Sequence, residues 1–183
     1  MQSRRSVTGI EGRLRHDDYF LLMARFAALR GTCARRTVGC VLVDARHHVL
    51  STGYNGVPSG EPHCTDHPCE GACDESGDTS RCKAIHAERN AVDQLKDRGL
   101  AKVLELPLMS KVRKAYVSVF PCFDCARYLW EQCRNLKEVH ALRAYPDVRG
   151  VEYLTHKGIL VKEHEHLTAV SLDKLLVIGE RWR

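Results

Sequence analysis

The stretch AYVSVFPCFDCARYLW, residues 115–130, decides the fold. Ala115 to Phe120 reads as a strand, and Cys122 opens a helix running to Arg134. Working outward, a strand Glu138–Leu142 follows, then a short helix near Val151–His156 and a strand Ile159–Lys162 beyond Gly158. Upstream lies a helix over about Ala84–Arg98. Before it, Val38–Val43 and His48–Gly53 read as strands joined by a turn at Asp44–His47, which predicts a hairpin. Asp17 and Asp18 are expected to cap a first helix from about Tyr19 to Arg30, which Gly31 stops. Strands alternating with helices predict one three-layer α/β domain, and the opening hairpin makes its five-stranded sheet mixed. A helix is also expected around Leu172–Ile178, while the tail after about residue 163 has no assigned role.

The chain has 183 residues, 44% hydrophobic and 28% charged, which excludes disorder as the default and favours one domain spanning 1–183. No secretory leader is expected, because no apolar run follows the basic N-terminus. Nor does any apolar run approach the ~18–20 residues that cross a bilayer. Nine Cys and ten His in such a chain point to metal ligands or buried thiols in a cytoplasmic setting, not a disulfide framework. The net charge of +5 suits a phosphate-bearing small molecule better than a nucleic acid, and aromatics at 7% argue against a stacking groove. The basic clusters Arg35-Arg36, Lys111–Lys114 and Arg181-Trp182-Arg183 read as solvated faces.

Two segments carry chemistry. In Pro121-Cys122-Phe123-Asp124-Cys125, two thiols at a helix N-terminus converge where the helix dipole favours thiolates. His86-Ala87-Glu88, at another helix start, offers a third ligand through His86. Three N/S ligands leave one tetrahedral position open, the arrangement of a catalytic zinc site. Glu88, two residues on, is placed to accept a proton from a water that the metal activates. The H-x-E and P-C-x-x-C pair is itself the known signature of zinc nucleobase deaminases.

From about Asp18 to Ala144 the chain resembles the cytidine/deoxycytidylate deaminase superfamily, in its deoxycytidylate branch. The resemblance rests on Leu29-Arg30-Gly31-Thr32-Cys33, Val38-Gly39, the run Thr52-Gly53-Tyr54-Asn55-Gly56-Val57-Pro58-Ser59-Gly60, His86–Ala91 and the second zinc motif. It implies a cytidine-deaminase-like fold and hydrolysis of dCMP to dUMP and ammonia, supplying dUMP for thymidylate synthesis. His86, Cys122 and Cys125 would hold the zinc. Glu88 would protonate N3 of cytosine and pass a proton to the leaving ammonia. Asn55 is expected to bond the sugar; the alternative is a turn Asn in a left-handed conformation before Gly56. Arg35 is the phosphate-binding candidate, against a surface Arg. The resemblance also implies a homo-oligomer, commonly a hexamer, with dCTP as activator and dTTP as inhibitor, together with Mg2+. A modified deoxycytidylate or another free nucleotide is the alternative substrate, and a zinc-stabilised binding module the non-enzymatic alternative.

The segment from Tyr54 to about Cys82 is long and polar, so it calls for a staple. Four thiolates would supply a closed zinc site. The resemblance places such a structural zinc on Cys33, Cys64, Cys69 and Cys82. Cys73, His63 and His67 compete for those positions. Cys40 and Cys133 read as small buried hydrophobes, and His164-Glu165-His166 as an exposed polar face.

Overall fold

A computed structural model describes residues 14–73, 81–97 and 108–164. The elements in chain order are α1 (His16–Ala28), β1 (Gly39–Val43), β2 (Val49–Tyr54), α2 (Glu70–Cys73), α3 (Ala87–Asp97), α4 (Leu108–Lys111), β3 (Lys114–Val117), α5 (Phe123–Gln132), β4 (Glu138–Ala141), α6 (Arg149–His156) and β5 (Leu160–Glu163). The strands form one sheet in the order β2-β1-β3-β4-β5. β1 pairs antiparallel with both β2 and β3, whereas β3, β4 and β5 run parallel. The expected mixed five-stranded sheet is therefore observed. The expected helix near Leu172–Ile178 and the terminal basic cluster lie outside the described residues.

Alternation along β1 decides which layer each side chain enters. Val41 and Val43 face α1, where Phe20, Leu21, Ala24 and Tyr116 complete one buried cluster. Cys40 and Leu42 face the other layer, with Ala91, Val92 and Leu95 of α3 and Ala126 and Leu129 of α5. Cys40 and Cys133 are fully buried there, as expected of small hydrophobes. No helix among the described residues is long and apolar enough to cross a membrane.

Several boundaries differ from the sequence-based expectation for identifiable reasons. The N-cap of α1 is Arg15 and makes no side-chain cap bond, so Asp17 and Asp18 fall inside the first turn instead of capping it. Asp17 is claimed by the sheet, accepting the Tyr116 hydroxyl at 2.7 Å. β3 stops at Val117 instead of Phe120, because its partner β1 starts at Gly39, whose N–H is taken by Ser118 Oγ. α3 starts three residues later than expected. Ile85 is held extended by a two-way bond with Gly56, at 2.8 and 3.1 Å.

Candidate active site

That Gly56–Ile85 bridge delivers His86 just ahead of α3. Across the layer, Cys122 is the N-cap of α5 and Cys125 lies in its first turn. The His86 Nδ1 atom stands 3.5 Å from Cys122 Sγ and 3.3 Å from Cys125 Sγ. Two ligands on a tetrahedral zinc with ordinary Zn–N and Zn–S lengths are separated by about 3.6 Å. The donor set and its spacing therefore fit zinc. Hydrogen bonding to the Cys125 thiol and to His86 holds the Cys122 thiol down to about 4, so it is a ready thiolate. The Cys125 thiol is pushed up by its bond to Cys122 and by burial.

Two glycines let the helix starts approach this point. A Cβ on Gly53 of β2 would lie 2.2 Å from the Ala87 carbonyl oxygen, and one on Gly150 of α6 would lie 2.2 Å from that of Pro121. Only hydrogen fits at either place. Ala87 separates His86 from Glu88, so the β2–α3 contact sets the height of both. Glu88 is 3% exposed, and burial raises the pKa of its carboxyl group.

The group sits in a cavity of about 310 Å³ that also reaches Asn55, Arg35, Arg36 and Tyr145. Tyr145 and Asp147 come from the loop beyond β4, at the C-terminal ends of the parallel strands, where α/β sheets bind ligands. Arg36 lies over the Tyr145 ring, 5.3 Å from its centroid. Arg35 donates to the Gly71 carbonyl oxygen at 2.7 Å, tying the cavity wall to α2. The Asp147 carboxylate is engaged by Arg149 at 2.6 Å.

Asn55 lines the cavity, but not as a left-handed turn residue: the one positive-φ residue other than glycine among those described is His47. Its side-chain oxygen accepts the Val38 N–H at 2.7 Å, and its amide donates to the Arg36 carbonyl at 2.6 Å. Asn55 thus braces the loop that carries both arginines. Sequence reasoning passed over Arg36 as surface charge and did not single out Tyr145 or Asp147. No motif marks them, and only the fold brings them to the cavity.

The four cysteines of the proposed staple gather beside this wall. Cys64 and Cys69 are 3.7 Å apart at sulfur, and Cys69 also bonds Cys82. Backbone N–H donation from Lys83 and Ala72, with the Cys64 and Cys82 thiols, lowers the Cys69 thiol to about 7, while burial raises that of Cys82. The quartet is looser than the His86 group. Among the described residues, only His86/Cys122/Cys125 and Asp17/His140/His164 place three or more ligand atoms all within 4.8 Å of one another. Cys73, His63 and His67 are exposed.

Comparison with known proteins places this geometry. The model of the cytidine and deoxycytidylate deaminase zinc-binding region matches residues 14–141. A deoxycytidylate deaminase of Schizosaccharomyces pombe is 36% identical over 154 residues, which are 81% of this chain and 44% of the yeast protein. The chain thus spans less than half the length of that relative. A deoxycytidylate deaminase of Mycobacterium phage D29 is 35% identical over 119 residues, covering 62% of this chain and 84% of the phage protein. In structure, the dCMP deaminase of cyanophage S-TIM5 in complex with dCMP and dUMP superposes with a TM-score of 0.57 at 25% identity, over 80% of this chain and 95% of that one. The family match and the convergent His/Cys/Cys group together identify the chain as a member of the cytidine and deoxycytidylate deaminase family, carrying its zinc-binding region.

Proposed function

We propose that the protein hydrolyses dCMP to dUMP and ammonia in the cytoplasm, with His86, Cys122 and Cys125 as zinc ligands. The observation that carries this reading is the buried Glu88 carboxyl group, in the lining of the same cavity as His86 and Cys122. The chemistry a metal supplies there is Lewis acidity, which makes a water deprotonable near neutral pH. Glu88 takes that proton, and its surroundings favour the transfer, since a carboxyl raised by burial holds a proton more readily than an exposed one. It delivers the proton to N3 of the cytosine as the water oxygen adds to C4. The second proton of the water passes through Glu88 to the amino nitrogen, and the C4–N bond breaks to release ammonia. One water is consumed, and no redox change occurs.

Arg35 and Arg36 supply the positive wall for the 5′-phosphate. Asn55 keeps one amide hydrogen and one oxygen lone pair beyond its two backbone bonds, enough to contact the sugar. The second zinc belongs to Cys33, Cys64, Cys69 and Cys82. The 3.7 Å Cys64–Cys69 separation supports it, since two thiolates on one tetrahedral zinc lie about 3.8 Å apart. The regulatory part of the reading has dCTP activating and dTTP inhibiting a homo-oligomer, commonly a hexamer, with Mg2+. It rests on the resemblance of the Gly53–Gly60 run. Exposed Tyr19, Phe26 and Leu29 on and just after α1 offer apolar surface for such an assembly.

The test is ammonia release from dCMP, CMP, deoxycytidine and 5-substituted dCMP, with and without dCTP. We expect dCMP to lead and deoxycytidine to trail far behind. Deoxycytidine turned over as well as dCMP overturns the nucleotide reading, and a better 5-substituted substrate reassigns the enzyme to modified deoxycytidylates. No turnover of any of them favours the zinc-stabilised binding module.

A further inference from the structure

The second close group of ligand atoms lies on the opposite face of the sheet from α3 and α5. His140 of β4 is opposite Tyr116 of β3 in register, and both side chains point into the α1 layer. The His140 ring is fully buried and stacks on Tyr116, with centroids 4.7 Å apart. Its Nε2 is bonded to Glu138 Oε2 at 2.8 Å. Its Nδ1 faces His164 Nε2 at 2.9 Å and Asp17 Oδ2 at 3.9 Å. His164 follows β5 and is pinned to β4 through its N–H to the Ala141 carbonyl, at 2.8 Å. Asp17 is oriented by the Tyr116 hydroxyl on its other oxygen.

We infer that Asp17, His140 and His164 form a binding site for a first-row divalent cation such as zinc, separate from the catalytic group and joining α1 to the far edge of the sheet. Two imidazoles and a carboxylate are a zinc donor set. The Glu138 carboxylate on the remote nitrogen of His140 is the partner that metal-binding histidines take, fixing the ring with its lone pair on Nδ1. Lys114 and Lys162 both engage Glu138, at 3.1 and 3.7 Å, so Asp17 supplies the negative charge at the ligand atoms themselves. Ligand atoms on a tetrahedral zinc bound through nitrogen and oxygen are separated by about 3.3 Å. One observed separation is a few tenths shorter and one somewhat longer. His164, half-buried at the sheet edge, and Asp17, 22% exposed, have room to adjust. In the sequence, His164 reads as part of an exposed face because its partners are 24 and 147 residues away.

The test is the metal content of the purified full chain, beside that of His164→Ala and Asp17→Asn. Asparagine keeps an acceptor for the Tyr116 hydroxyl, so the second variant retains the local packing. Each variant is expected to lose one equivalent of zinc relative to wild type, with the cysteine-held metal unchanged. Cobalt loaded into wild type supplies a signal that no variant's folding can confuse. Cobalt at this site shows d–d absorption with no sulfur charge-transfer band, over and above the thiolate-bound cobalt. Wild-type protein lacking that sulfur-free signal, or variants that keep the full metal content, would overturn the assignment.

Discussion

Gly53→Ala is the substitution through which packing should reach chemistry. The new methyl carbon would stand 2.2 Å from the Ala87 carbonyl oxygen and 2.5 Å from the Ala91 nitrogen, both backbone atoms of α3. Ordinary contact begins near 3.4 Å, so α3 must retreat from β2 by about 1 Å. Overpacking of this kind costs about 1–3 kcal/mol, which lowers the melting temperature by roughly 2–12 °C for a chain of this size. The same retreat carries His86 and Glu88 with it. His86 Nδ1 now sits 3.3 and 3.5 Å from the two sulfurs, and a shift of that size spoils the ligand geometry. A misplacement near 1 Å costs on the order of 100-fold in rate. The control is Gly39→Ala, whose methyl would meet the Ala24 carbonyl of α1 at 2.0 Å, on the other face of the sheet. It should destabilise by a similar amount yet keep zinc and kcat close to wild type. The assay pairs thermal unfolding with zinc content and dCMP turnover for both variants. Full zinc and turnover in Gly53→Ala, or an equal loss of them in Gly39→Ala, would refute the link from packing to chemistry.

Four further substitutions separate the roles assigned around the cavity. Asn55→Ala leaves the Val38 N–H and the Arg36 carbonyl without their partner, and urea unfolding should show a loss of about 2–4 kcal/mol. Arg35→Ala should raise KM for dCMP by about 10–100-fold, the worth of one charge-assisted bond, while deoxycytidine kinetics stay unchanged. Cys64→Ser, at a 1% exposed position, should lower the zinc content by the one equivalent proposed for the cysteine quartet, whereas Cys73→Ser at the surface should stay within about 0.5 kcal/mol of wild type by chemical denaturation.

How much of this was legible depends on how far apart in sequence the partners lie. The run from Ala115 to Trp130 announces a strand feeding a helix, and its two cysteines share one helix start, so the metal-ligand half-site can be read locally. His86 and Glu88 sit two residues apart with a recognisable pattern, and the fold brings His86 to the two sulfurs and Glu88 into the lining of the same cavity. Element ends were less legible, because each is set by a neighbour. β3 ends where β1 runs out, and α3 begins where Ile85 leaves its bond with Gly56. Asp17 has the residue type of a cap, but a tyrosine from the middle of the sheet takes its carboxylate. Arg36 with Tyr145, and Asp17 with His140 and His164, come together only through the sheet order β1-β3-β4-β5. No local spacing encodes that order.

The most direct test of Glu88 as the proton carrier is ammonia release from dCMP by wild type and Glu88→Gln at matched zinc content. Glutamine keeps the size of the side chain and the three metal ligands, but it cannot accept and return a proton. Unchanged zinc and a turnover lower by at least about 100-fold are predicted. Glu88→Gln protein that holds its zinc and still deaminates dCMP at a rate near wild type would contradict that role.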